Sequence, residues 1–409
     1  MVRRSGSGRP RRPSNPGARD AADTQEWARR AADAVAGFTS TRSKSMDAMF
    51  GGPDGPTHCL RAEGASFETA DGRTLIDWTM ALGAVGLGYA HPDVAEAAAL
   101  AAREGAVGPL PPTLEVRLAE RLVGVYPGAE QARFFKSGAE AVAAAVRVSR
   151  AATGREHVVY CGYHGWLDGP TGGIGVPPAA RALWHEVPFD DVPALERAVQ
   201  ESHPAAIVLE PLIEREPSRE WLDAARTLAT RTGAAFVLDE IKTAFRLARG
   251  GAAERYGVTP DLALLGKALA NGFPLAALVG RADVMARVRD TWVSSTLATE
   301  WVALAAADAV LDVWEQLDVA GHMAWIGERA MAAAGAACAG RRVQVAGVPA
   351  MWFLRFDDAA LERRTLLSCA GRGVLLKRGP YNFPSLAHDE EAVRVTAEAL
   401  SAALAEAGA

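Results

Sequence analysis

The chain has 409 residues, of which 49% are hydrophobic and 23% charged, and its formal net charge is −5. This length has room for two or three domains, and the slight acidity gives no support for binding to nucleic acid or to a membrane surface. The four cysteines are far apart and include no CxxC pair, so we expect no structural zinc, no disulfide framework and a reducing, cytoplasmic location.

The N-terminal part predicts a disordered tail followed by small elements. Residues 1–20 are rich in Arg, Pro, Ser and Gly, and their twin arginines precede no apolar run, so we predict no secretion signal. Residues 24–36 favour a short helix. Residues 57–78 alternate in short pieces around Asp71-Gly72, which indicates a small β-meander containing a hairpin. No run in the chain is long and apolar enough to span a bilayer.

Strands and helices alternate from about residue 134 to residue 279, a pattern typical of a mostly parallel sheet covered by helices on both faces. The predicted strands are 132–135, 158–161, 205–209, 234–238, 262–265 and 276–279. The predicted helices are 93–104, 114–125, 141–152, 195–201 and 221–230. After residue 299 the pattern changes to a helix over 301–316, short strands within 343–356 and 373–377, and a helix over 389–407. We therefore predict an α/β protein with a large domain (81–315) and a small α+β domain (21–80 and 316–409).

An acid and a lysine follow two of the predicted strands. Asp239 comes directly after the run 234–238, and Lys267 follows the run 262–265 after one glycine. Ligands of open α/β sheets bind just beyond the carboxyl ends of the strands. An amine and a carboxylate there suit pyridoxal phosphate (PLP), which has an aldehyde and a basic ring nitrogen. The alternatives are that Asp239 is only a helix N-cap and that Lys267 is a solvated surface charge.

Two further turns carry polar or aromatic residues. Ser137-Gly138-Ala139 joins a predicted strand to a helix N-terminus, where free amides and the helix dipole favour an anion; the alternative is a plain Ser cap. Tyr163 and His164 follow another strand, where an aromatic ring could stack on a flat ligand and His164 could supply a hydrogen bond. The alternative is a core Tyr beside a loop His with satisfied hydrogen bonds.

Taken in order, these motifs resemble the class III aminotransferases of fold type I, a PLP-dependent family that includes glutamate-1-semialdehyde aminomutase. The resemblance covers residue 57 to the C-terminus. The motifs that carry it most strongly are Phe135-Lys-Ser137-Gly138-Ala139-Glu140-Ala141, Tyr163-His164-Gly165, Leu209-Glu210-Pro211, Leu238-Asp239-Glu240-Ile241-Lys242-Thr243-Ala-Phe-Arg246 and Pro260-Asp261-Leu-Ala-Leu-Leu-Gly266-Lys267. Several such motifs in one order are far more specific than any single motif. The resemblance implies the PLP-transferase fold type I, with a mostly parallel seven-stranded sheet.

The resemblance also implies residue roles. Lys267 would form the Schiff base and Asp239 would contact the pyridine nitrogen, which makes these two the expected catalytic residues. The other expected cofactor-binding residues are Ser137, Gly138 and Ala139 as the phosphate cup, Tyr163 and Ile241 on the two ring faces, His164 and Lys242 beside the ring, and Glu210 as a cofactor-side or gating carboxylate. Thr296 would reach the phosphate of the neighbouring subunit, because sites of the family lie at a homodimer interface.

Some positions depart from the pattern of the family. Lys242 replaces a commonly uncharged residue; a second cation there would lower the basicity of nearby amines, or it would point to solvent. Leu82 and Arg215 stand where the aminomutase has a substrate-facing Trp and an Asn, and Leu297-Ala-Thr-Glu300 replaces a Gly-rich turn.

Three functions fit the sequence. The leading hypothesis is an aminotransferase acting on a keto or aldehyde group of a small metabolite, such as an amino sugar or an aminoglycoside-type biosynthetic intermediate. The alternative within PLP chemistry is an isomerase, either an aminomutase or an epimerase at an amine-bearing carbon. A non-catalytic protein on the same fold is the third hypothesis, and the presence of both Lys267 and Asp239 argues against it. The expected partners are small-molecule amine and carbonyl substrates and a second copy of the chain.

Overall fold

The computed structural model of the protein describes residues 24–408. Its helices are α1 (Thr24–Ala34), α2 (Met46–Phe50), α3 (Met80–Gly83), α4 (Pro92–Glu104), α5 (Thr113–Val125), α6 (Gly138–Thr153), α7 (Pro178–Arg181), α8 (Val192–Ser202), α9 (Arg219–Thr232), α10 (Gly251–Tyr256), α11 (Ala282–Met285), α12 (Trp301–Gln316), α13 (Val319–Cys338), α14 (Ala359–Gly371) and α15 (Glu390–Glu406). Its strands are β1 (Cys59–Glu63), β2 (Ser66–Thr69), β3 (Thr74–Asp77), β4 (Gln131–Phe135), β5 (Val158–Cys161), β6 (Trp184–Glu186), β7 (Ala206–Leu209), β8 (Ala235–Asp239), β9 (Leu262–Leu265), β10 (Ala276–Gly280), β11 (Val343–Val348), β12 (Met351–Phe356) and β13 (Val374–Leu375).

A seven-stranded sheet forms the centre of the molecule, in the order β4-β10-β9-β8-β7-β5-β6. Strands β5 to β9 pair in parallel, while β10 is antiparallel to both of its neighbours, β4 and β9. Strands β7, β8 and β9 are buried along their whole length, which explains why they read as unbroken apolar runs. The predicted α/β fold with a mostly parallel seven-stranded sheet is confirmed.

Hydrophobic clusters cover both faces of this sheet. One contains Leu118 and Leu122 of α5 and Trp221 of α9, and the other contains Ala141 and Val146 of α6. Because β4 is antiparallel to β10 and β10 is antiparallel to β9, β4 runs in the direction of the parallel strands. The carboxyl ends of β4, β5, β7, β8 and β9 therefore meet at one edge of the sheet.

A smaller sheet, in the order β1-β2-β3-β13, combines segments from both parts of the chain. The predicted hairpin at Asp71-Gly72 joins β2 to β3, and Gly72 has φ +82°, which a tight turn requires. Strand β13 pairs in parallel with β3, and the indole Nε1 of Trp78 donates to Thr396 Oγ1 of α15 at 2.8 Å. Strands β11 and β12 form a separate two-stranded ribbon.

The division into domains at residues 80 and 315 stays a prediction, although the two larger sheets have distinct hydrophobic clusters. The tail predicted for residues 1–20 lies outside the described residues. Across residues 24–408, no helix combines the length and apolarity needed to cross a membrane.

Candidate active site

A cavity of about 380 Å³ lies at the edge where the carboxyl ends of the strands meet. Each of five strands is followed by a residue that lines it. The predicted site residues in its lining are Ser137, Gly138, Ala139, Tyr163, His164, Glu210, Asp239, Ile241, Lys242 and Lys267. The structure thus brings together all of the predicted site residues except Thr296.

Lys267 lies two residues beyond β9, after Gly266, and lines this cavity. It is half-buried and has the left-handed φ of +47°. Burial is the largest cause that lowers the pKa of Lys267, the charge of Lys242 is the next, and together with smaller effects they bring it to about 8. Roughly a tenth of this amine is therefore unprotonated at pH 7, far more than for an ordinary lysine, and the unprotonated form is the one that acts as a nucleophile or a general base.

Asp239 and His164 form a buried pair beside Lys267. Asp239 Oδ2 lies 2.7 Å from His164 Nδ1, and Asp239 Oδ1 accepts a hydrogen bond from the Ile241 amide at 3.1 Å. The other ring nitrogen of His164, Nε2, lies 3.0 Å from the Cys161 carbonyl, which can only accept. Burial opposes the charged imidazolium, but the hydrogen bond and charge of Asp239 outweigh it and raise the pKa of His164. The pair holds a carboxylate in place where it can contact a basic ligand atom.

The N-terminus of α6 is a capped helix end with free amides. Ser137 Oγ accepts from the Glu140 amide at 3.3 Å, and Glu140 Oε2 accepts from the Ser137 amide at 2.9 Å, which completes a capping box. The amides of Gly138 and Ala139, in the first turn, have no acceptor within the helix and lie at the positive end of its dipole. Ser137 is thus a helix cap, and the same turn is suited to binding a phosphate.

Tyr163 and Ile241 supply the aromatic and aliphatic lining. Tyr163 is 66% exposed, so the alternative of a core tyrosine is wrong. Ile241 packs closely against two glycines: a Cβ on Gly266 would lie 2.8 Å from its Cδ1, and one on Gly138 would lie 3.0 Å from it. Glycine at these two positions therefore allows the ends of β9 and β4 to approach the Ile241 side chain closely.

Glu210 and Lys242 form an ion pair within the cavity. The Lys242 side chain is 19% exposed and that of Glu210 only 4% exposed, so the alternative that Lys242 points to solvent is wrong. Burial opposes the charge of Lys242, but Glu210 raises its pKa above the ordinary value. Glu210 Oε1 also accepts from the Tyr163 amide at 2.6 Å, and the Lys242 ammonium lies 5.0 Å from the Tyr381 ring.

Two contacts of the site were not predicted from the sequence. Tyr381 belongs to the 376–383 segment that follows β13, and no motif marks it. Lys136, next to the phosphate cup, forms an ion pair with Glu300 (Nζ to Oε1, 2.7 Å), the N-cap of α12. The only sequence feature that pointed to this pair was the segment 297–300, which replaces the Gly-rich turn of the family.

Thr296 does not line the cavity of its own chain. It is exposed in the turn that precedes α12, while Glu300 at the end of that turn contacts Lys136. Its predicted contact with a neighbouring subunit stays a prediction.

The residues of the cavity fit PLP in chemistry. An amine with no ion-pair partner in residues 24–408, the buried carboxylates of Asp239 and Glu210, a helix end suited to an anion and a nonpolar wall share a single cavity of suitable size. The loop 163–165 also packs tightly on the phosphate cup, because a Cβ on Gly165 would lie 2.7 Å from Ala139 Cβ. Within the described part of the chain, no group of three or more His, Cys, Asp or Glu side chains could hold a metal ion.

Comparison with known proteins agrees with this chemistry. The family model described as aminotransferase class-III matches residues 53–171 and 178–404. The glutamate-1-semialdehyde 2,1-aminomutase of Rhodopirellula baltica is 37% identical over 306 residues, which cover 69% of each chain. The FumI protein of Sphingopyxis sp. MTA144, solved in its PLP internal aldimine form, superposes with a TM-score of 0.88 at 27% identity, covering 94% of this chain and 96% of that one. A β-phenylalanine aminotransferase from Variovorax paradoxus has a TM-score of 0.83 at 26% identity, with 94% of each chain covered. The chain therefore belongs to the class III aminotransferases, a PLP-dependent family of fold type I.

Proposed function

We propose that the protein is an aminotransferase that moves an amino group between an amine donor and a keto or aldehyde group of a small metabolite. The observation that carries this proposal is the Lys267 amine, which has no ion-pair partner in residues 24–408 and a pKa of about 8, in one cavity with the Asp239–His164 pair and the free amides of α6. Lys267 would hold PLP covalently, and Ser137, Gly138 and Ala139 would hold its phosphate. Ile241 and Tyr163 would contact its ring.

When bound, PLP supplies an aldehyde that takes up amines and a ring that accepts an electron pair. The residues of the chain control the protons. The amine of Lys267 would take a proton from the reacting carbon of the substrate and deliver it to a different atom of the reacting group. Asp239, whose negative charge is stabilised by the His164 imidazolium, would hold a proton on the ring nitrogen. Tyr163 and Trp166, both exposed at the entrance of the cavity, would restrict the access of water.

The second candidate is an isomerase, either an aminomutase or an epimerase at an amine-bearing carbon. The name of the Rhodopirellula relative favours an aminomutase. Two departures argue against the semialdehyde substrate. Arg215 lies on the surface in an ion pair with Asp190, and Leu82 lines a separate cavity of about 540 Å³ beside the N-terminal segment. We therefore favour a different acceptor, such as an amino sugar or an aminoglycoside-type intermediate.

We also propose a cytoplasmic homodimer with shared active sites. Exposed apolar side chains near the Thr296 turn and after α4 support a subunit contact, since Leu297 is 52% and Leu110 is 76% exposed. Four free cysteines, three of them buried, support a reducing compartment.

The test is the visible absorbance of the purified protein before and after addition of a panel of amine donors. If one donor bleaches the band of the bound cofactor and a keto acid appears, the aminotransferase is supported and its donor identified. A band that no donor bleaches, together with uptake of solvent deuterium into an amine substrate, would favour the isomerase. The absence of any band after addition of PLP would contradict both, and Lys267→Ala should abolish the band.

A further inference from the structure

We infer that Lys242 is a positioning residue of the reaction: its ammonium group, fixed by Glu210, favours the unprotonated, reactive form of the Lys267 amine in the same cavity. This inference rests on the proposed role of Lys267. The inference assigns a function to Lys242, a position that is commonly uncharged in the pattern of the family.

The ammonium group of Lys242 is held inside the cavity. Lys242 follows Ile241 directly beyond β8, and its side chain contacts Glu210, which follows β7. Glu210 is fixed in turn by the Tyr163 amide, and a Cβ on Gly162 would lie 2.7 Å from Glu210 Cγ. If the ammonium turned to solvent, it would leave the buried Glu210 carboxylate without an opposite charge in contact, which is strongly unfavourable. The charge of Lys242 therefore stays near the reacting amine.

The two lysines of the cavity have different partners. Lys242 has a carboxylate in contact, whereas no acidic group of residues 24–408 forms an ion pair with Lys267. When two amines lie close together, the one with the carboxylate keeps its proton and the other loses it more easily. The Glu210–Lys242 pair thus separates the protonation of two chemically identical side chains within one cavity.

Four charged groups from two neighbouring strand ends act on Lys267. They are Glu210 beyond β7, Asp239 of β8, and Lys242 and Arg246 in the loop after β8. Two more titratable groups contact these four: His164 pairs with Asp239, and the Tyr381 ring lies 5.0 Å from the Lys242 ammonium. After burial, the charge of Lys242 is the largest influence on the pKa of Lys267, and Arg246 lowers it further. Glu210 and Asp239 raise it by smaller amounts. Lys242 is therefore the side chain whose removal changes the protonation of Lys267 most.

The experiment measures the titration of Lys267 directly. The full-length protein, freed of PLP, is labelled with trace acetic anhydride between pH 6 and 11, and the acetylation of Lys267 is quantified by peptide mass spectrometry. The wild type should show a midpoint near the pKa of about 8. In Lys242→Met the midpoint should move up by roughly one pH unit or more, because a nearby like charge has been removed. Lys242→Arg keeps the charge and should keep the midpoint.

If the Lys242→Met variant does not fold, Lys242→Gln serves as the second neutral variant, because the glutamine amide can still donate a hydrogen bond to Glu210. An unchanged midpoint in both neutral variants would overturn the inference. Binding of PLP by the wild type is measured in the same preparation by its visible band. A missing band would contradict the proposed function, whereas a normal band with an unchanged midpoint would contradict only the role of Lys242. The acidic limb of the kcat/KM profile should move upward with the midpoint.

Discussion

At the residue scale, the charged groups beside the reactive amine are held in pairs. His164 pairs with Asp239 and Glu210 pairs with Lys242, whereas Lys267 has no carboxylate partner among residues 24–408. Because all five groups line one cavity, the ionic state of each depends on the others. The reactive amine is thus the one cation in this group of five that lacks an opposite charge in contact.

The Asp239–His164 pair should make stability depend on pH. The pKa of His164 in the folded protein lies above its ordinary value of 6.5, so the stabilisation is complete below that value and is lost as the pH rises through the folded pKa. His164→Asn should cost about 3 kcal/mol of unfolding free energy at pH 6 and less at pH 9. Thermal unfolding across this range measures the difference.

The matched control for this variant is His203→Asn, at the exposed C-cap of α8. Its difference from the wild type should show no comparable pH dependence. A His164→Asn difference that stays constant or grows toward pH 9 would refute the assigned charge of the pair.

At the scale of single elements, the start of α6 combines a structural role with a proposed binding role. The capping box closes the helix end with side chains, and the amides of Gly138 and Ala139 stay available for a ligand. Ser137 caps the helix through its hydroxyl and also lines the cavity. A variant of this cap should therefore affect stability and ligand binding together.

Ser137→Ala should lower the unfolding free energy by about 1 kcal/mol and weaken PLP binding by roughly ten-fold. Ser218→Ala provides the matched control, because Ser218 caps α9 through the Trp221 amide and does not line the cavity. It should lose stability and keep the PLP affinity of the wild type. Fluorescence titration with PLP and chemical unfolding separate the two effects. Equal PLP affinity in both variants would exclude Ser137 from the phosphate site.

The short helix α3 is a left-handed turn and is held by its surroundings. Met80, Ala81, Leu82 and Gly83 all have positive φ, a conformation that costs L-residues about 1–2 kcal/mol each. The fully buried Arg246 donates to the Gly83 carbonyl at 3.1 Å and to the Pro384 carbonyl at 2.9 Å. This guanidinium therefore ties the strained turn to the segment after β13.

A pair of glycine variants tests how tightly this turn is packed. Gly83 and Gly72 have nearly the same φ, +81° and +82°. A Cβ on Gly83 would lie 2.9 Å from the Phe383 ring, whereas one on Gly72 would meet no atom within 4 Å. Gly83→Ala should therefore destabilise the protein by about 1–3 kcal/mol more than Gly72→Ala in chemical unfolding. Equal losses would show that Phe383 can move aside.

On the scale of the whole molecule, the segment that was predicted to contact the phosphate does not line the cavity of its own chain. Thr296 is exposed while the rest of the predicted phosphate site is assembled at the helix end. The proposed homodimer explains this arrangement, because a partner would bring its Thr296 to the phosphate. The Lys136–Glu300 pair would then link the cup of one site to the turn that serves the other.

Mixed dimers can test this exchange. A chain carrying Lys267→Ala is co-expressed with a differently tagged chain carrying Thr296→Glu, whose charge would repel a phosphate. If Thr296 acts across the interface, both defects fall in one site, and purified mixed dimers should bind PLP in half of their sites. If Thr296 acts within its own chain, neither site is intact. A monomer in light scattering would contradict the dimer itself.

The elements that are buried along their whole length were predicted from the sequence. Elements that are very short, or whose buried and exposed residues are of similar type, were missed. Strands β7, β8 and β9 were predicted because they are apolar throughout, whereas β6 was missed because it has three residues and two of them, His185 and Glu186, are polar. Helix α13 is rich in Ala and Gly, so its buried and exposed faces look alike in sequence.

The residues of the site were predicted better than their contacts. Strand ends and motif order located ten of the cavity residues, because parallel strands end at the same edge of a sheet. The Glu210–Lys242 pair joins residues from two different loops, and Tyr381 approaches from a third segment far along the chain. Such contacts depend on side-chain packing in three dimensions, which spacing along the chain does not encode.

The pairing of β3 with β13 has a consequence during synthesis. Ile76 of β3 pairs with Val374 of β13. The edge of β3 that faces away from β2 therefore has no partner until about 300 more residues have been translated, which takes roughly 15–60 s at ordinary rates. During that interval the nascent chain exposes an unpaired strand edge, a template for aggregation. We expect the newly made protein to need a chaperone until the segment that contains β13 has left the ribosome.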